Sequence, residues 1–311
     1  MRRRFATLLP AIALLGVAAG PAVPTDVAAP TVHDADADGA PDAVVGAPRY
    51  DQWTWADVDE ATIHPGTQTV TEGGQCTANF VFVRTAVVDE VEYLVDVLLG
   101  TAAHCISSES GADECADTGH PIGTPTEIDG ATLPGAAAYN ATITMQAVGE
   151  TDPDTCNHND IGMIRVAYED WSRVNPSIPD FGGPVGTNTT GTTQGDTLYS
   201  WGNSGLRFGL EQTSPKRGTA LATNAGGWNH TFYTVTPGIP GDSGSALLDA
   251  DGNALAALST VAIAPFPASN NADDIGRAVQ YALDHEPTMA GLRLEPGTEP
   301  WDPSPWPVFV P

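Results

Sequence analysis

Leu99-Gly100-Thr101-Ala102-Ala103-His104-Cys105 is the stretch on which the reading of this chain turns. An apolar run over residues 91–99 reads as a strand, stops at Gly100, and delivers two alanines followed by a histidine beside a cysteine. Histidine titrates near neutral pH and can act as a base, although a lone histidine is more often packed or solvated. The surroundings have the same texture. Short apolar runs at 77–83, 140–148, 161–166, 197–201, 232–235, 246–248 and 254–262 are separated by Gly, Asn, Asp and Pro, and the chain carries 33 Gly and 26 Pro. The run at 140–148 alternates, with Ile143 and Met145 on one side, and is expected to be a strand. Such a series predicts an all-β sandwich or barrel. One helix is predicted at 273–284, where Ile275, Ala278, Val279, Ala282 and Leu283 follow the helical period, with Asn271 as its cap.

Two further stretches carry chemistry. Gly241-Asp242-Ser243-Gly244-Ser245 is a glycine-rich turn that would expose a serine hydroxyl and aim backbone N–H groups at a developing oxyanion. Taken alone it is an ordinary hairpin turn. Cys156-Asn157-His158-Asn159-Asp160-Ile161-Gly162-Met163-Ile164 places an acid at the head of an apolar strand, between the histidine and the serine. His158 is read as a loop side chain.

The three stretches together, in the order His, Asp, Ser, resemble the trypsin/chymotrypsin serine peptidase family. Thr-Ala-Ala-His-Cys at 101–105 is a signature of that family, and Asn159-Asp160-Ile161 with Ile164 resembles its Asn-Asp-Ile-x-x-Ile strand. Ser200-Trp201-Gly202-Asn203 is similar to the stretch that opens the family's second barrel, and Ser259 falls where the family pairs a strand with bound substrate. The resemblance covers residues 62–286. It implies two packed antiparallel six-stranded β-barrels of the chymotrypsin type with a C-terminal helix. It also implies a serine endopeptidase with His104, Asp160 and Ser243 as its triad and the N–H groups of Gly241 and Ser243 as its oxyanion hole. No cofactor is needed for that chemistry. The partner is a protein or peptide substrate, and the chain is expected to be a monomer.

The departures place the chain nearer to secreted bacterial members than to pancreatic ones. There is no Ile-Val-Gly-Gly segment, so activation by a new N-terminus inserting beside Asp242 is not expected. Ser245 replaces a family glycine, as in glutamyl-endopeptidase-like relatives, and the loop before the nucleophile reads Thr236-Pro237-Gly238-Ile239-Pro240. Pro237 stands where trypsin-like relatives carry the aspartate that selects Arg or Lys. With Ser259, Thr260 and Val261 forming the other wall, the expected preference is for a small or medium uncharged side chain at the substrate's P1 position.

Bulk properties bound the remainder. Against 12 basic residues stand 39 acidic ones, a net charge of −27, and Lys216 is the single lysine. Phosphate binding needs clustered cations, so a nucleic-acid partner is excluded. Met1-Arg2-Arg3-Arg4, the short apolar stretch 8–19 and the small residues after it read as a secretory signal peptide cleaved between 20 and 29. No later stretch is long and apolar enough to span a membrane. Cys76, Cys105, Cys115 and Cys156 in an exported chain predict two disulfides, for which three connectivities exist. The resemblance implies Cys76–Cys105, with Cys115–Cys156 as the second pair.

Composition divides the chain into a signal peptide (1–29), an acidic extension or propeptide (30–60), a peptidase domain (61–290) and a proline-rich tail (291–311), whose residues 296–311 include six prolines. Within the extension, Asp34, Asp36, Asp38 and Asp42 fit D-x-D-x-D-G-x-x-D, which resembles the calcium loop of an FG-GAP repeat. An acidic extension without metal is the simpler reading, and calcium is the alternative. Two rival functions would leave different marks in the sequence. A non-catalytic binding protein on this fold would lack part of the triad. A serine esterase would place its histidine last and follow the serine with a helix.

Overall fold

The computed structural model describes residues 46–109, 113–261 and 267–304. Two antiparallel β units account for most of it. The first contains β1 (Gln68–Thr71), β2 (Gly74–Thr77), β3 (Val81–Val88) and β4 (Val91–Thr101), then a small ribbon of β5 (Ser107–Glu109) and β6 (Thr118–Gly119), then β7 (Pro125–Ile128), β8 (Gly135–Asn140) and β9 (Gly162–Arg165). The second contains β10 (Thr197–Trp201), β11 (Pro215–Asn224), β12 (Asn229–Val235), β13 (Ala246–Leu248), β14 (Ala254–Val261) and β15 (Asn270–Asp274). A last strand, β16 (Leu292–Leu294), returns to the first unit.

The second unit closes as the expected six-stranded barrel, in the order β10-β11-β12-β15-β14-β13. The first does not: it is a curled eight-stranded sheet ordered β16-β3-β4-β9-β8-β7-β1-β2. The C-terminal segment adds its outermost strand. Leu292–Leu294 pairs with Arg84, Val83 and Phe82, so β16 covers the β3 edge that would otherwise be unpaired.

Both faces of the central strands are buried, and their alternation assigns each face a partner. Val81, Val83, Val97, Leu99 and Ile164 pack inside the first unit with Ile63, Leu94 and Trp171. Their neighbours Phe80, Phe82, Leu98 and Met163 face a second cluster that also holds Tyr199, Trp201, Leu248, Ala257 and Ile275. Leu198, Phe232, Leu247, Leu255, Ala256 and Leu258 fill the barrel. Runs such as Val97-Leu98-Leu99 are continuously apolar for this reason.

Two local expectations fail. Residues 140–148 do not continue as a strand: β8 ends at Asn140 and helix α1 spans Ala141–Val148. Asn140 caps it by accepting from Thr142 N, and Gly149 ends it in the left-handed region at φ 70°. After α2 (Pro153–His158), the late helix α3 begins at Ile275 and ends at His285, with Asp274 as its cap through Arg277 N. Asn271 is no cap. Its stretch is β15, which closes the barrel between β12 and β14.

The segments set off by composition at 60 and 291 pack against the body of the protein and against each other. Trp53 meets Trp171 edge-on at 6.0 Å, and the Tyr50 hydroxyl and Trp55 Nε1 both donate to the Glu295 carboxylate. Beyond it, Trp301 packs against Phe181 and Tyr199. Aromatic side chains in both segments supply burial that acidic and proline-rich composition conceals. The signal segment and the calcium candidates Asp34, Asp36, Asp38 and Asp42 lie outside the described residues.

Candidate active site

His104 sits on a single 3-10 turn, Ala103–Ile106, directly after β4. The turn is held from behind by Asn140, whose Nδ2 donates to Ala103 O and Ile106 O at 3.2 and 3.0 Å. β4 pairs with β9 through Thr101 and Gly162, which brings Asp160, two residues before that pair, up to the histidine. Gly162 lets the strand pack closely on the histidine turn, since a Cβ there would lie 2.8 Å from Ile106 Cδ1 and 3.1 Å from Ala102 O. The Asp160 carboxylate takes two bonds from one residue: His104 N donates to Oδ1 at 2.9 Å, and the ring Nδ1 meets Oδ2 at 2.6 Å. An ionised carboxylate only accepts, so Nδ1 carries the proton and Nε2 is left as the basic nitrogen.

Burial alone would raise the Asp160 pKa, but the His104 ring and the N–H groups of His104 and Ala103 outweigh it and hold the carboxylate below its usual range. The His104 pKa is pulled down by burial and more than restored by Asp160, with Asp273 and Asp117 adding to the rise. Glu114 is also buried near these acids, and burial with their repulsion pushes its carboxyl far above the ordinary range. His158 stands at the end of α2 with Nδ1 3.5 Å from Asp273 Oδ1, while Asn229 Nδ2 donates to the same oxygen at 2.8 Å.

Ser243 lies in the turn between β12 and β13, flanked by Gly241 at φ 94° and Gly244 at φ 84°. The turn is seated on the histidine-bearing unit. Thr77 N donates to Ser243 O at 2.9 Å, and a Cβ on Gly244 would fall 2.6 Å from Thr101 Oγ1 and 2.9 Å from Ala102 N. The serine turn therefore rests against the two residues that lead into His104. The Cys76–Cys105 disulfide ties the same elements together, and Cys115–Cys156 fastens α2; both pairs are the expected ones.

Beside the serine, Asp242 is fully buried and held by four donors. Oδ2 receives Lys216 Nζ at 2.9 Å, Arg207 Nη2 at 2.5 Å and Ile239 N at 3.1 Å, and Oδ1 receives Ser204 N at 3.0 Å. Burial drives the Lys216 ammonium down to about 8, against the opposing pull of Asp242 and with the help of Arg207's like charge. Burial by itself would raise Asp242, but the two cations hold it below its usual value. No residue-spacing rule points to Lys216 or Arg207. The one available signal is a solitary lysine inside a strand of an acidic chain.

The expected specificity residues fall on two walls. Pro237 belongs to the loop before the serine, and its carbonyl receives Arg207 Nη2 at 3.2 Å. Ser259 is half-buried at a bulge in β14, and Thr260 is exposed beside it. Val261 ends the strand, and its side chain lies outside the description. The sequence reading missed the residue that joins the walls. Asn270 is fully buried; its Oδ1 accepts from Gly238 N at 2.8 Å, and its Nδ2 reaches Gly238 O and Thr260 O at 3.4 and 3.5 Å.

Among the described residues, two clusters have metal-ligand spacing: Cys76, His104 and Cys105, and Asp113, Cys115 and Cys156. Each contains both sulfurs of a disulfide, which removes the thiolates a metal would need.

A family model described as the trypsin-like peptidase domain matches residues 85–256, more than half of the chain. A search of curated proteins finds no match. Among solved structures, the chain is similar to Thermobifida fusca protease A at 17% identity, over 76% of this chain and 100% of that one, with a TM-score of 0.44. Cellulomonas bogoriensis chymotrypsin matches at 17% identity over 75% and 98%, with a TM-score of 0.43. A Glu endopeptidase matches at 13% identity over 74% and 95%, with a TM-score of 0.46.

Proposed function

The chain belongs to the trypsin-like peptidases, and from that premise we propose that it is a secreted serine endopeptidase working through Ser243, His104, Asp160 and a covalent acyl-enzyme. A serine hydroxyl is a weak nucleophile until a base takes its proton. Here His104 Nε2 accepts the proton of Ser243 Oγ as that oxygen attacks the scissile carbonyl. The N–H groups of Gly241 and Ser243 receive the developing negative oxygen, and His104 returns the proton to the leaving amine. Water, deprotonated by the same imidazole, then attacks the acyl carbon, and the imidazolium returns that proton to Ser243 Oγ as the ester bond breaks and the acid product leaves. Asp160 keeps the proton on Nδ1 and stabilises the imidazolium that forms.

The observation that carries this reading is the two-point bond from His104 N and Nδ1 to the two oxygens of Asp160. It sets both the position and the tautomer of the base. The seat of the serine turn against Thr101 and Ala102 supports the same reading.

The substrate preference follows from the walls of the slot. Residues 236–240 contain no acid, and Asp273 is engaged by Asn229 and His158. A cationic P1 side chain would be buried there without a partner, at high cost. Small or medium uncharged P1 residues are favoured, with Ser259 and Thr260 on the facing strand. The leader-like composition at 1–29 and two disulfides support export to an oxidising compartment, where the enzyme would act as a monomer on proteins or peptides. The net charge of −27 opposes a nucleic-acid partner.

Turnover of matched fluorogenic peptides that differ only at P1 tests both levels. Ser243→Ala and His104→Ala should each lower kcat by at least about a thousandfold while the protein stays folded. Near wild-type hydrolysis by Ser243→Ala would overturn the mechanism. Faster cleavage after Arg than after Ala or Val would overturn the specificity alone.

A further inference from the structure

The serine turn can be accounted for peptide by peptide, because the C=O and N–H of a trans peptide point in opposite directions. The Gly241–Asp242 peptide is held at both ends: its carbonyl accepts from Thr77 Oγ1 at 2.7 Å and Gln75 Nε2 at 3.0 Å, and its N–H donates to Ile239 O at 2.9 Å. The Ser243–Gly244 peptide is held likewise, by Thr77 N on its carbonyl and by Leu258 O at 2.7 Å on its N–H. The other two peptides are held only by their carbonyls. Ser204 Oγ donates to Pro240 O at 2.5 Å, and Ser245 N donates to Asp242 O at 3.0 Å. Their N–H groups belong to Gly241 and Ser243. Among the described residues neither donates to a backbone carbonyl. The two donors needed for an oxyanion are therefore the two that the turn leaves over.

Gly241 is the critical joint. Its φ of 94° belongs to glycine, and a Cβ would lie 2.4 Å from Gln75 Oε1 and 2.9 Å from Ser204 Oγ. Rotation about this residue would turn its N–H away from the site. The peptides on its two sides are stopped by two hydroxyls from elements far away in sequence. Thr77 ends β2 and is fully buried, with its hydroxyl also accepting from Asn203 N at 3.3 Å. Ser204 follows β10 and is equally enclosed; its Oγ accepts from Leu206 N at 3.1 Å, which leaves its single proton for Pro240 O.

We propose that Ser204 and Thr77 are positioning residues for oxyanion stabilisation, their hydroxyls locking the carbonyls on either side of Gly241 so that its N–H stays turned to the reacting oxygen. Neither residue touches substrate. Gln75 backs up Thr77 on the same carbonyl. The inference rests on the reading of Ser243 as nucleophile and adds what holds its oxyanion donors in place.

The test uses the whole secreted protein, with concentrations set by active-site titration and folding checked by thermal melting. Removing an oxyanion donor outright costs about 100- to 1,000-fold in kcat. Loosening the donor's peptide should cost less, about 10- to 100-fold in kcat for Ser204→Ala and for Thr77→Val, with KM changed by no more than about twofold. Thr77→Ser keeps the hydroxyl and should recover most of the rate. A peptidyl trifluoromethyl ketone, whose hemiketal oxygen occupies the oxyanion position, should lose affinity in proportion to kcat/KM across the series. A merely structural role would not produce that proportionality. Unchanged kcat in both variants overturns the inference, as does a Thr77→Ser protein as slow as Thr77→Val, or lost kcat with unchanged ketone affinity. A wild-type protein that cleaves no peptide would instead overturn the serine-peptidase reading, and the two failures are distinguishable.

Discussion

The two arms of the site are built in opposite ways. The histidine arm is compact: His104 and Asp160 hang from neighbouring strands β4 and β9 and meet through two direct bonds. The serine arm is assembled from a distance. Thr77, Ser204, Arg207 and Lys216 converge on one turn from both units, and two cations share a single carboxylate oxygen on Asp242. An arm whose parts are adjacent can be spoiled chemically while the fold survives. An arm held by a buried charge cluster is expected to lose stability along with activity, because an uncompensated buried charge is costly.

The sharpest way to break this contrast is Asp160→Asn. The amide retains the shape but favours the wrong imidazole tautomer, so kcat should fall by about 10,000-fold with little change in melting temperature. Lys216→Met comes next. It strips the fully buried Asp242 of one of its two cations, and breaking a buried pair costs about 3–5 kcal/mol, readable in urea unfolding, with kcat falling alongside. Equal destabilisation by Asp160→Asn and Lys216→Met would remove the distinction between the arms.

Arg207→Gln separates the two cations by pH. Lys216 titrates near 8, and above that Arg207 alone keeps Asp242 paired, so the wild-type rate should hold through the alkaline range. Without Arg207, loss of the Lys216 proton leaves Asp242 with no cation, and kcat should fall on the alkaline side. Removing the like charge also raises the Lys216 pKa, so the fall is centred above pH 8. An Arg207→Gln profile as flat as wild type would show that the second cation is dispensable.

The smallest effect is expected from Asp273→Asn. Burial pushes the Asp273 carboxyl up to about 6, and the negative charge it carries above that helps to raise His104, so its removal lowers the histidine's pKa. Activity is lost as His104 gains its proton. The acid limb of kcat/KM should therefore move to lower pH, with the plateau rate unchanged within about twofold. An acid limb that stays in place would show that Asp273 does not act on the base.

Legibility in the sequence divides along the same line. His104, Asp160 and Ser243 each stand in a contiguous motif, and short apolar runs marked most of the strands. Residues 140–148 alternate Thr142 and Thr144 with Ile143 and Met145 as a strand would, but the decisive signals are the cap at Asn140 and the stop at Gly149, which make a helix. Residues 46–60 and 291–304 were set apart by composition, yet Tyr50 and Trp55 meet Glu295 across more than 200 positions of chain. Hydrogen bonds of that separation leave no local pattern to read.

By itself the sequence pointed to the proposed chemistry and the order of its parts, because local backbone shape around His104, Asp160 and Ser243 demands particular neighbours: a strand, small residues, a glycine turn. Only the tertiary structure decided what holds the Ser243 turn in place. Asn270 joins the loop at Gly238 to the strand at Thr260, Lys216 and Arg207 neutralise Asp242, and the hydroxyls of Thr77 and Ser204 bond the carbonyls on either side of Gly241. These contacts link strands and loops that only barrel closure and sheet curvature bring together. Their energy lies in burial and direction, and sequence spacing encodes neither.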